Sequence, residues 1–250
     1  MRMLSALPLL LLAGCGAAPP AAPELPARVL ILTGEDAHHD WPATTPVLKA
    51  LLEENPRLQV EVLEDLRAVA TTDLSPYAAV IVHFKNEDPA VPGRAAFERL
   101  DRYVRGGGGL VLVHFGCGAF QEFRDDFEAL VGRVWFGDPP PVGRRHHDPY
   151  GPFRVEPVTA SHPVTAGLQP FSTTDELYTC LVGSATIEVL AEAHSKLDGD
   201  RYPMALVRRP GAGRVFLSTL GHDVAAYQAE GARELYRRGV AWTAGLLPAP

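Results

Sequence analysis

Cysteine is scarce in this chain, which has three in 250 residues: Cys15, Cys117 and Cys180. So few cysteines exclude the disulfide framework that holds many small secreted domains together. Whether Cys117 and Cys180 form a single bond stays open, because a disulfide needs a specific geometry that a sequence does not define. We therefore expect the fold to depend on a hydrophobic core.

Positive charge is also in short supply. Lys and Arg number 23 against 30 Asp and Glu, which gives a formal net charge of −7. No stripe of basic residues offsets this balance, so we expect no nucleic-acid partner. Beyond residue 14, the sequence also lacks any apolar run long enough to cross a membrane.

The first residues have the features of a targeting segment. Arg2 precedes the apolar run LSALPLLLLAG, which is too short to cross a bilayer as a stable helix. The sequence Leu12–Cys15 resembles the lipobox of bacterial lipoproteins, in which the cysteine is lipidated. Residues 1–14 are therefore predicted to be a lipoprotein signal peptide, and residues 15–26 a Pro/Ala-rich tether.

These features predict a location as well. We expect a protein of the bacterial cell envelope that faces the periplasm and contacts the membrane only through a lipid on Cys15. An ordinary signal peptide with an incidental cysteine is the alternative. Removing residues 1–14 takes away one positive charge, that of Arg2, and changes the net charge from −7 to −8.

Residues 27–247 are predicted to form a single α/β domain. Apolar strands at 28–33, 58–63, 78–82 and 110–113 alternate with helical patterns, which favours a mostly parallel sheet between two helical layers. Thr45-Pro46 is predicted to start the first helix. Later strands have short connections, and the turn signal PGAG predicts an added antiparallel hairpin. A helix over residues 224–244 closes the domain.

Histidines follow four of the apolar strands, and a further pair, His146 and His147, lies in a Gly/Pro-rich loop. In an open α/β sheet, ligands bind outside the carboxyl ends of the strands, so these imidazoles are expected to meet at one rim. Three of them are followed directly by aspartate, which adds carboxylates to the predicted site. The histidines concerned are His38, His39, His83, His114, His146, His147 and His222.

The centre of the predicted site consists of His114, His147 and His222. Imidazoles with carboxylates beside them, such as His147 with Asp148, suit zinc or another divalent transition metal. Because no close HxH or HxxxH spacing occurs, such a metal site must be assembled from distant segments. Without a metal, the same histidines could act as general acid and base. The sequence leaves both alternatives open.

Other polar and aromatic residues are predicted to form the walls of the site. Glu176 is a candidate general acid, since a neighbouring carboxylate can raise its pKa. Each of these wall residues also has a purely structural interpretation, as a helix cap, a packed aromatic ring or part of a solvated turn. The predicted substrate-binding residues are His39, Asp40, Trp41, Asp175, Tyr178 and Asp223.

Cys117 is a weaker candidate for a nucleophile. It follows a strand, as the residue of a nucleophile elbow does. However, the Gly-x-Cys-x-Gly pattern of glutamine amidotransferases requires glycine where this chain has Phe115 and Ala119. The His-x-Glu partner is missing as well, because His222 is followed by Asp223-Val224. The glycine run at 106–109 precedes its strand, so it indicates a helix end and not a phosphate loop.

An ordered set of segments resembles the ThuA-like (trehalose-utilisation) family. The segments are TGEDAHHDW, GGGLVLVHFGCGAFQEF, HDPYGPFRV, SHPVTAGLQPFSTTDELY and GRVFLSTLGHDVAAY, and they cover most of residues 28–245. The resemblance implies a flavodoxin-like fold similar to class I glutamine amidotransferases, with the cysteine site replaced. The family-like polar residues are His39, Asp40, His114, His147, Asp148, Asp175, Glu176, Tyr178, His222 and Asp223.

The resemblance also implies a role in carbohydrate metabolism, of the trehalose or 3-keto-sugar type, with a small carbohydrate as partner. The leading hypothesis is a lipid-anchored hydrolase, lyase or isomerase that uses His114, His147 and His222, with Asp148 and Glu176, with or without a divalent metal. A non-catalytic sugar-binding lipoprotein is the alternative, and a cysteine-dependent amidotransferase-like hydrolase is third. The sequence does not define the sugar, the oligomeric state or the metal.

Overall fold

The computed structural model describes residues 25–135 and 146–248. The predicted signal peptide, Cys15 and most of the tether lie outside the described residues. The strands are β1 (Ala27–Leu32), β2 (Leu58–Leu63), β3 (Ala79–Val82), β4 (Gly109–Val113), β5 (Val134–Trp135), β6 (Gly151–Pro157), β7 (Phe171–Asp175), β8 (Leu181–Val182), β9 (Glu188–His194), β10 (Arg201–Arg208) and β11 (Arg214–Ser218). The α-helices are α1 (Trp41–Glu53), α2 (Gly93–Arg105), α3 (Arg124–Val131) and α4 (Glu230–Thr243).

A nine-stranded sheet in the order β2-β1-β3-β4-β11-β10-β9-β6-β7 forms the middle layer. Strands β2, β1, β3, β4 and β11 pair in parallel. The predicted hairpin is confirmed in the antiparallel pair β10–β11, and antiparallel pairing continues through β9 and β6 to β7. Strands β5 and β8 form a separate two-stranded sheet. The predicted α/β architecture is confirmed, with a larger antiparallel part than one hairpin.

The alternation of side chains along β1 explains the three layers. Val29 and Ile31 pack in one core cluster with residues of α1 and α4, whereas Leu30 and Leu32 pack with residues of α2 and α3. Successive side chains of a strand point to opposite faces, so a strand covered on both sides must be apolar throughout. Strands β3 and β4 obey the same rule, since every residue in them is buried.

The first helix begins earlier than its sequence predicts. Asp40 is the N-cap of α1, and its side chain accepts a hydrogen bond from the Ala43 amide at 3.1 Å. Thr45 and Pro46 therefore lie inside the helix. The prediction was wrong because the Asp cap, followed by Pro42 in the first turn, is the stronger start signal.

Two further findings concern cysteine and membranes. Cys117 and Cys180 are both buried and do not form a disulfide in this structure. Within residues 25–135 and 146–248, none of the helices combines the length and apolar character needed to cross a bilayer.

Candidate functional site

Three imidazoles from three separate segments lie in mutual contact at the carboxyl edge of the parallel strands. His39 follows β1, His114 follows β4 and His222 follows β11. The ring centroids lie 5.0 Å apart for His39 and His114, 4.9 Å for His39 and His222, and 5.4 Å for His114 and His222. The predicted convergence of distant histidines at one rim therefore occurs.

Glu176, directly after β7, completes this group, which we call the imidazole–carboxylate cluster: His39, His114, Glu176 and His222. One possible ligand atom from each residue lies within 4.8 Å of all the others. Glu176 Oε2 lies 3.3 Å from His222 Nδ1 and 3.7 Å from His114 Nε2. Three imidazoles and one carboxylate are a ligand set that divalent transition metals accept.

The nitrogens that face one another in the cluster lack hydrogen-bond partners. His39 Nε2, His114 Nε2 and His222 Nδ1 are buried, and each is without a hydrogen bond in the described part of the chain. Leaving a buried polar atom unsatisfied costs about 1–3 kcal/mol. Two of these nitrogens face the Glu176 carboxylate at 3.3 and 3.7 Å, and all three are available to a ligand bound at this point.

Hydrogen bonds behind the cluster fix which nitrogen of the His114 and His39 rings is available. His114 Nδ1 donates to the Thr219 carbonyl oxygen at 2.5 Å, so Nε2 carries the lone pair. His39 Nδ1 donates to Asp36 Oδ1 at 2.9 Å, and the Asp36 side chain is fully buried. A carboxylate that holds a histidine in this way is typical of the outer shell of metal sites.

The charges of these groups depend on one another. Burial alone would raise the pKa of the Glu176 carboxyl, but His114 and His222 outweigh burial and bring that pKa well below its ordinary value. In return, the Glu176 carboxylate raises the pKa of His222. Burial lowers the pKa of His39, which favours its neutral, ligating form. Burial acts to raise the pKa of Asp36, but its interactions with His39 and the His38 amide together outweigh burial, so the pKa of Asp36 lies below its ordinary value.

His114 occupies a strained turn. Its φ is 44°, in the left-handed region that non-glycine residues seldom adopt, and it comes immediately after β4. A residue at such a strand-to-helix turn is the nucleophile in nucleophile-elbow enzymes. Here that position carries an imidazole. Cys117 lies three residues later, is fully buried and has a pKa raised by burial, which argues against a catalytic cysteine.

His147 lies beside the cluster and not in it. Its Nδ1 donates to the Asp148 carbonyl oxygen at 2.7 Å and lies 3.6 Å from Glu176 Oε1. The predicted triad of His114, His147 and His222 is thus replaced by a group in which His39 takes the place of His147. His147 still lines the same cavity.

Two predicted site carboxylates hold the surrounding loops and do not line the cavity. Asp175 is fully buried and accepts hydrogen bonds from the Gly221 and His222 amides at 2.7 and 3.2 Å. It thereby joins the segment of Glu176 to the segment of His222, and burial raises its pKa. Asp148 accepts hydrogen bonds from the Ser195 hydroxyl and the Lys196 amide at 2.7 and 2.6 Å.

Three other predicted wall residues also lie outside the cavity lining. Asp40 caps α1, and Trp41 is the first residue of that helix. Asp223 caps the 3-10 helix Val224–Gln228 and accepts a hydrogen bond from the Tyr150 hydroxyl at 2.7 Å. Among the predicted substrate-binding residues, His39 and Tyr178 therefore line the cavity, and the other four do not.

The cavity in front of the cluster has a volume of about 400 Å³. Several of its walls were missed in the sequence. Lys85 lies shortly after the end of β3. The expectation that ligands bind beyond the carboxyl ends of strands, which predicted the histidines, would therefore also have predicted Lys85. Trp135 could not be found in this way, because its place depends on the pairing of β5 with β8. The lining residues that the sequence did not single out for the site are Lys85, Phe115, Gly118 and Trp135, whereas His38 and His146, which belong to the predicted histidine groups, also line the cavity.

The fold and the site together define an α/β protein with an imidazole–carboxylate cluster at the carboxyl edge of its sheet. Comparison with protein families places it more closely. The family model described as "ThuA: Trehalose utilisation" matches residues 28–243, and the chain belongs to this family. A search of curated proteins found no match.

Solved structures show the same fold. A ThuA-like protein from Parabacteroides merdae superposes with a TM-score of 0.76 at 24% identity, covering 90% of this chain and 93% of that one. A ThuA-like protein from Bacteroides uniformis gives 0.66 at 17% identity, with 91% and 95% covered. A GMP synthase subunit from Thermoplasma acidophilum gives 0.51 at 10% identity, with 89% and 96% covered. The predicted likeness to class I glutamine amidotransferases is thus confirmed for the fold.

Proposed function

We propose that this protein is a metal-dependent enzyme that acts on a carbohydrate, with the metal held by His39, His114, His222 and Glu176. One observation carries the proposal: three buried imidazole nitrogens without hydrogen bonds meet a carboxylate oxygen at a single point. The family to which the chain belongs is described as one of trehalose utilisation, which supports the carbohydrate part.

The geometry of the cluster fits a small divalent ion. Ligands at about 2.1 Å from a tetrahedral zinc ion lie about 3.4 Å from one another. The two separations from Glu176 Oε2, 3.3 and 3.7 Å, are of this size. Such an ion would polarise a carbonyl oxygen or lower the pKa of a bound water.

His147 is the best candidate for proton transfer. Its Nδ1 is held by the Asp148 carbonyl, which leaves Nε2 as the atom that can accept a proton. An imidazole that lines a cavity is suited to general acid–base chemistry. Asp148, predicted as catalytic, contributes here through its carbonyl and through the loop that it anchors.

The cavity is suited to a sugar. Its volume of about 400 Å³ lies within the range of small-molecule sites. Trp135 and Tyr178 supply aromatic surface on one side, with ring centroids 4.5 Å apart, and imidazoles supply polar groups. Hydrolysis, elimination and isomerisation all agree with a metal beside a proton-transferring imidazole.

Metal analysis tests the proposal directly. The protein purified without chelators should contain about one divalent transition metal per chain by inductively coupled plasma mass spectrometry. A His114→Ala, His222→Ala double variant should lose it. His194→Ala is the matched control, because His194 is exposed on β9 and bonds to Gly199. A wild-type protein that folds normally but contains no metal would refute the metal centre.

A non-catalytic sugar-binding protein is the competing function, and turnover separates the two. The metal-loaded protein should convert a 3-keto-glucoside faster than trehalose, and His147→Gln should reduce turnover at least a hundredfold while metal content is retained. Binding of either sugar without turnover by the wild-type protein would favour the binding function.

We also propose that the protein is anchored to the bacterial envelope through a lipid on Cys15. The support is the short apolar run followed by Leu12–Cys15 and the Pro/Ala-rich segment after it. Expression in a bacterial host with a radiolabelled fatty acid should label the wild-type protein and leave Cys15→Ser unlabelled. Equal labelling of both would exclude the anchor.

A further inference from the structure

A second cavity lies at the rim of the sheet opposite the imidazole–carboxylate cluster. It has a volume of about 200 Å³ and is lined in part by Val207 and Arg208, at the carboxyl end of β10. Because β10 runs antiparallel to β11, Arg208 pairs with Val215 near the amino end of β11, whereas His222 follows the carboxyl end of that strand. The length of β11 therefore separates the second cavity from the cluster.

Two side chains in the wall of the second cavity carry ring nitrogens without hydrogen bonds. His162 and Trp242 are fully buried, and their rings meet edge to face with centroids 5.0 Å apart. Within residues 25–135 and 146–248, neither His162 Nε2 nor Trp242 Nε1 has a hydrogen-bond partner. An aromatic face is a weak acceptor, and in an edge-to-face pair it can serve only the ring that presents its edge. At least one of the two nitrogens therefore lacks any partner.

The hydrogen bonding of His162 makes its free nitrogen a donor. The Val164 amide donates to His162 Nδ1 at 3.2 Å, so Nδ1 carries the lone pair and Nε2 carries the hydrogen. Burial lowers the pKa of the His162 imidazole, Glu188 acts against burial and Arg209 acts with it, and the net shift is downward. The ring is therefore neutral at neutral pH. The Trp242 indole nitrogen can only donate, so both nitrogens require an acceptor.

Arginines bring positive charge to the same wall. Arg208 donates from its two Nη atoms to main-chain carbonyl oxygens at 3.2 and 2.9 Å, which fixes the guanidinium group. Its Nε is buried and forms no hydrogen bond in the part of the chain that the structure describes. The Arg209 guanidinium lies over the Trp242 ring, 5.6 Å from the centroid. Unsatisfied donors beside two guanidinium groups favour an acceptor that carries negative charge.

The second cavity also has apolar walls, formed by Ile187, Val207 and the Trp242 ring. A strongly hydrated ion such as phosphate would lose its water against these walls without replacement. A carboxylate with a short hydrocarbon chain matches both parts of the cavity.

We infer that the second cavity binds a small organic carboxylate. Its oxygens accept hydrogen bonds from His162 and Trp242, and its hydrocarbon part packs against Ile187 and Val207. The Arg209 guanidinium balances its charge at the entrance. This inference is independent of the proposed function, because the site shares no residue with the imidazole–carboxylate cluster.

Nuclear magnetic resonance on the full protein tests the inference with butyrate as the probe. The chain has three tryptophans, and Trp242→Phe identifies the indole N–H signal of Trp242. Butyrate should move that signal downfield in a saturable way, with a dissociation constant of about 1 mM for so small a ligand. Butyramide, which lacks the charge, and inorganic phosphate, which lacks the hydrocarbon chain, should each bind at least tenfold more weakly. A Trp242 signal that butyrate leaves in place would overturn the inference, as would equal affinity for phosphate.

Three variants complete the test. Arg209→Gln should bind butyrate at least tenfold more weakly than wild type. Arg201→Gln is the matched control, because Arg201 is exposed at the other end of β10 and pairs with Glu192, and it should bind as wild type does. The His114→Ala, His222→Ala variant should retain butyrate binding, even where metal is lost. Loss of binding in that folded variant would place the ligand at the cluster and refute the second site, and so would full affinity in Arg209→Gln.

Discussion

At the scale of single residues, the imidazole–carboxylate cluster depends on the groups that hold its rings from behind. The Asp36 carboxylate and the Thr219 carbonyl each accept a hydrogen bond from one ring nitrogen, and so direct the other nitrogen of His39 or His114 toward the centre. The sequence gives no sign that Asp36 and Thr219 support the histidine rings. Glu35-Asp36, shortly before His39, has the composition of an ordinary solvated loop.

The first prediction concerns Asp36. Asp36→Asn keeps the shape of the side chain but removes its charge, so His39 should become a weaker ligand. The dissociation constant for zinc should rise about tenfold or more, the usual effect of losing an outer-shell carboxylate. Competition with a chromophoric chelator measures this constant.

Asp40→Asn is the control for that experiment. It removes a carboxylate from the same loop, but the Asp40 side chain caps α1 by accepting a hydrogen bond from the Ala43 amide, and Asn is an equally good cap. Zinc affinity should not change. Equal losses in the two variants would show that the loop charge matters and that the specific contact of Asp36 with His39 does not.

The second prediction concerns acid stability and His83. This side chain is fully buried, hydrogen-bonds to Thr45 Oγ1 at 3.0 Å, and has a pKa that burial lowers from 6.5 to about 3. Between these pH values, the unfolded chain binds a proton that the native chain does not. The free energy of unfolding therefore falls as pH falls, by about 1.4 kcal/mol per pH unit for this group.

Replacement of His83 by Gln should remove that slope. From pH 6.5 to 5.0, the wild type should lose about 2 kcal/mol more stability than His83→Gln. Urea unfolding in the presence of a chelator at each pH measures the difference without a contribution from metal binding. His194→Gln, at an exposed site, should keep the wild-type slope, and an unchanged slope in His83→Gln would show that His83 is not neutral in the native state.

At the scale of elements, the short 3-10 helix His114–Gly118 connects the parallel sheet to the site. It begins with the strained residue His114, and Gly116 packs directly on β3. An added Cβ at position 116 would lie 2.2 Å from the Val82 carbonyl oxygen, which is backbone and cannot rotate away. The 3-10 helix can pack this closely on β3 because position 116 has no side chain.

The third prediction follows from this contact. Gly116→Ala should force the 3-10 helix away from β3, lower the free energy of unfolding by about 1–3 kcal/mol and weaken metal binding through the displacement of His114. Gly167→Ala is a suitable comparison for stability, since no atom lies within 4 Å of the added Cβ and its cost arises only from a positive φ of 71°. Urea titration and zinc competition report the two effects separately. Wild-type zinc affinity in Gly116→Ala would contradict the proposed coupling.

At the scale of the whole molecule, the sequence predicts the sheet architecture better than it predicts the role of each residue in the site. Continuous apolar strands such as β4 predict the parallel sheet, because only strands covered on both faces are apolar throughout. The expectation that ligands bind beyond the carboxyl ends of strands then predicts the meeting of His39, His114 and His222. It does not distinguish a ligand from its support: Asp175 and Glu176 are neighbours at the end of β7, yet only Glu176 belongs to the cluster. That distinction depends on side-chain directions and on the pairing of β5 with β8, which local sequence does not encode.

The last prediction concerns how a metal would stabilise the entire fold. The cluster joins segments after β1, β4, β7 and β11, so an ion bound there connects both halves of the sheet and binds only the native chain with this geometry. At a free metal concentration about 1,000 times its dissociation constant, stabilisation is about 4 kcal/mol. For a domain of about this size, each kcal/mol raises Tm by about 2–4 °C. Chelation should therefore lower Tm by about 8–16 °C, and zinc should restore it.

In the His114→Ala, His222→Ala variant, Tm should be the same with zinc and with chelator. A wild-type Tm indifferent to both would mean that these four residues meet without binding an ion, and their unsatisfied nitrogens would then require another ligand.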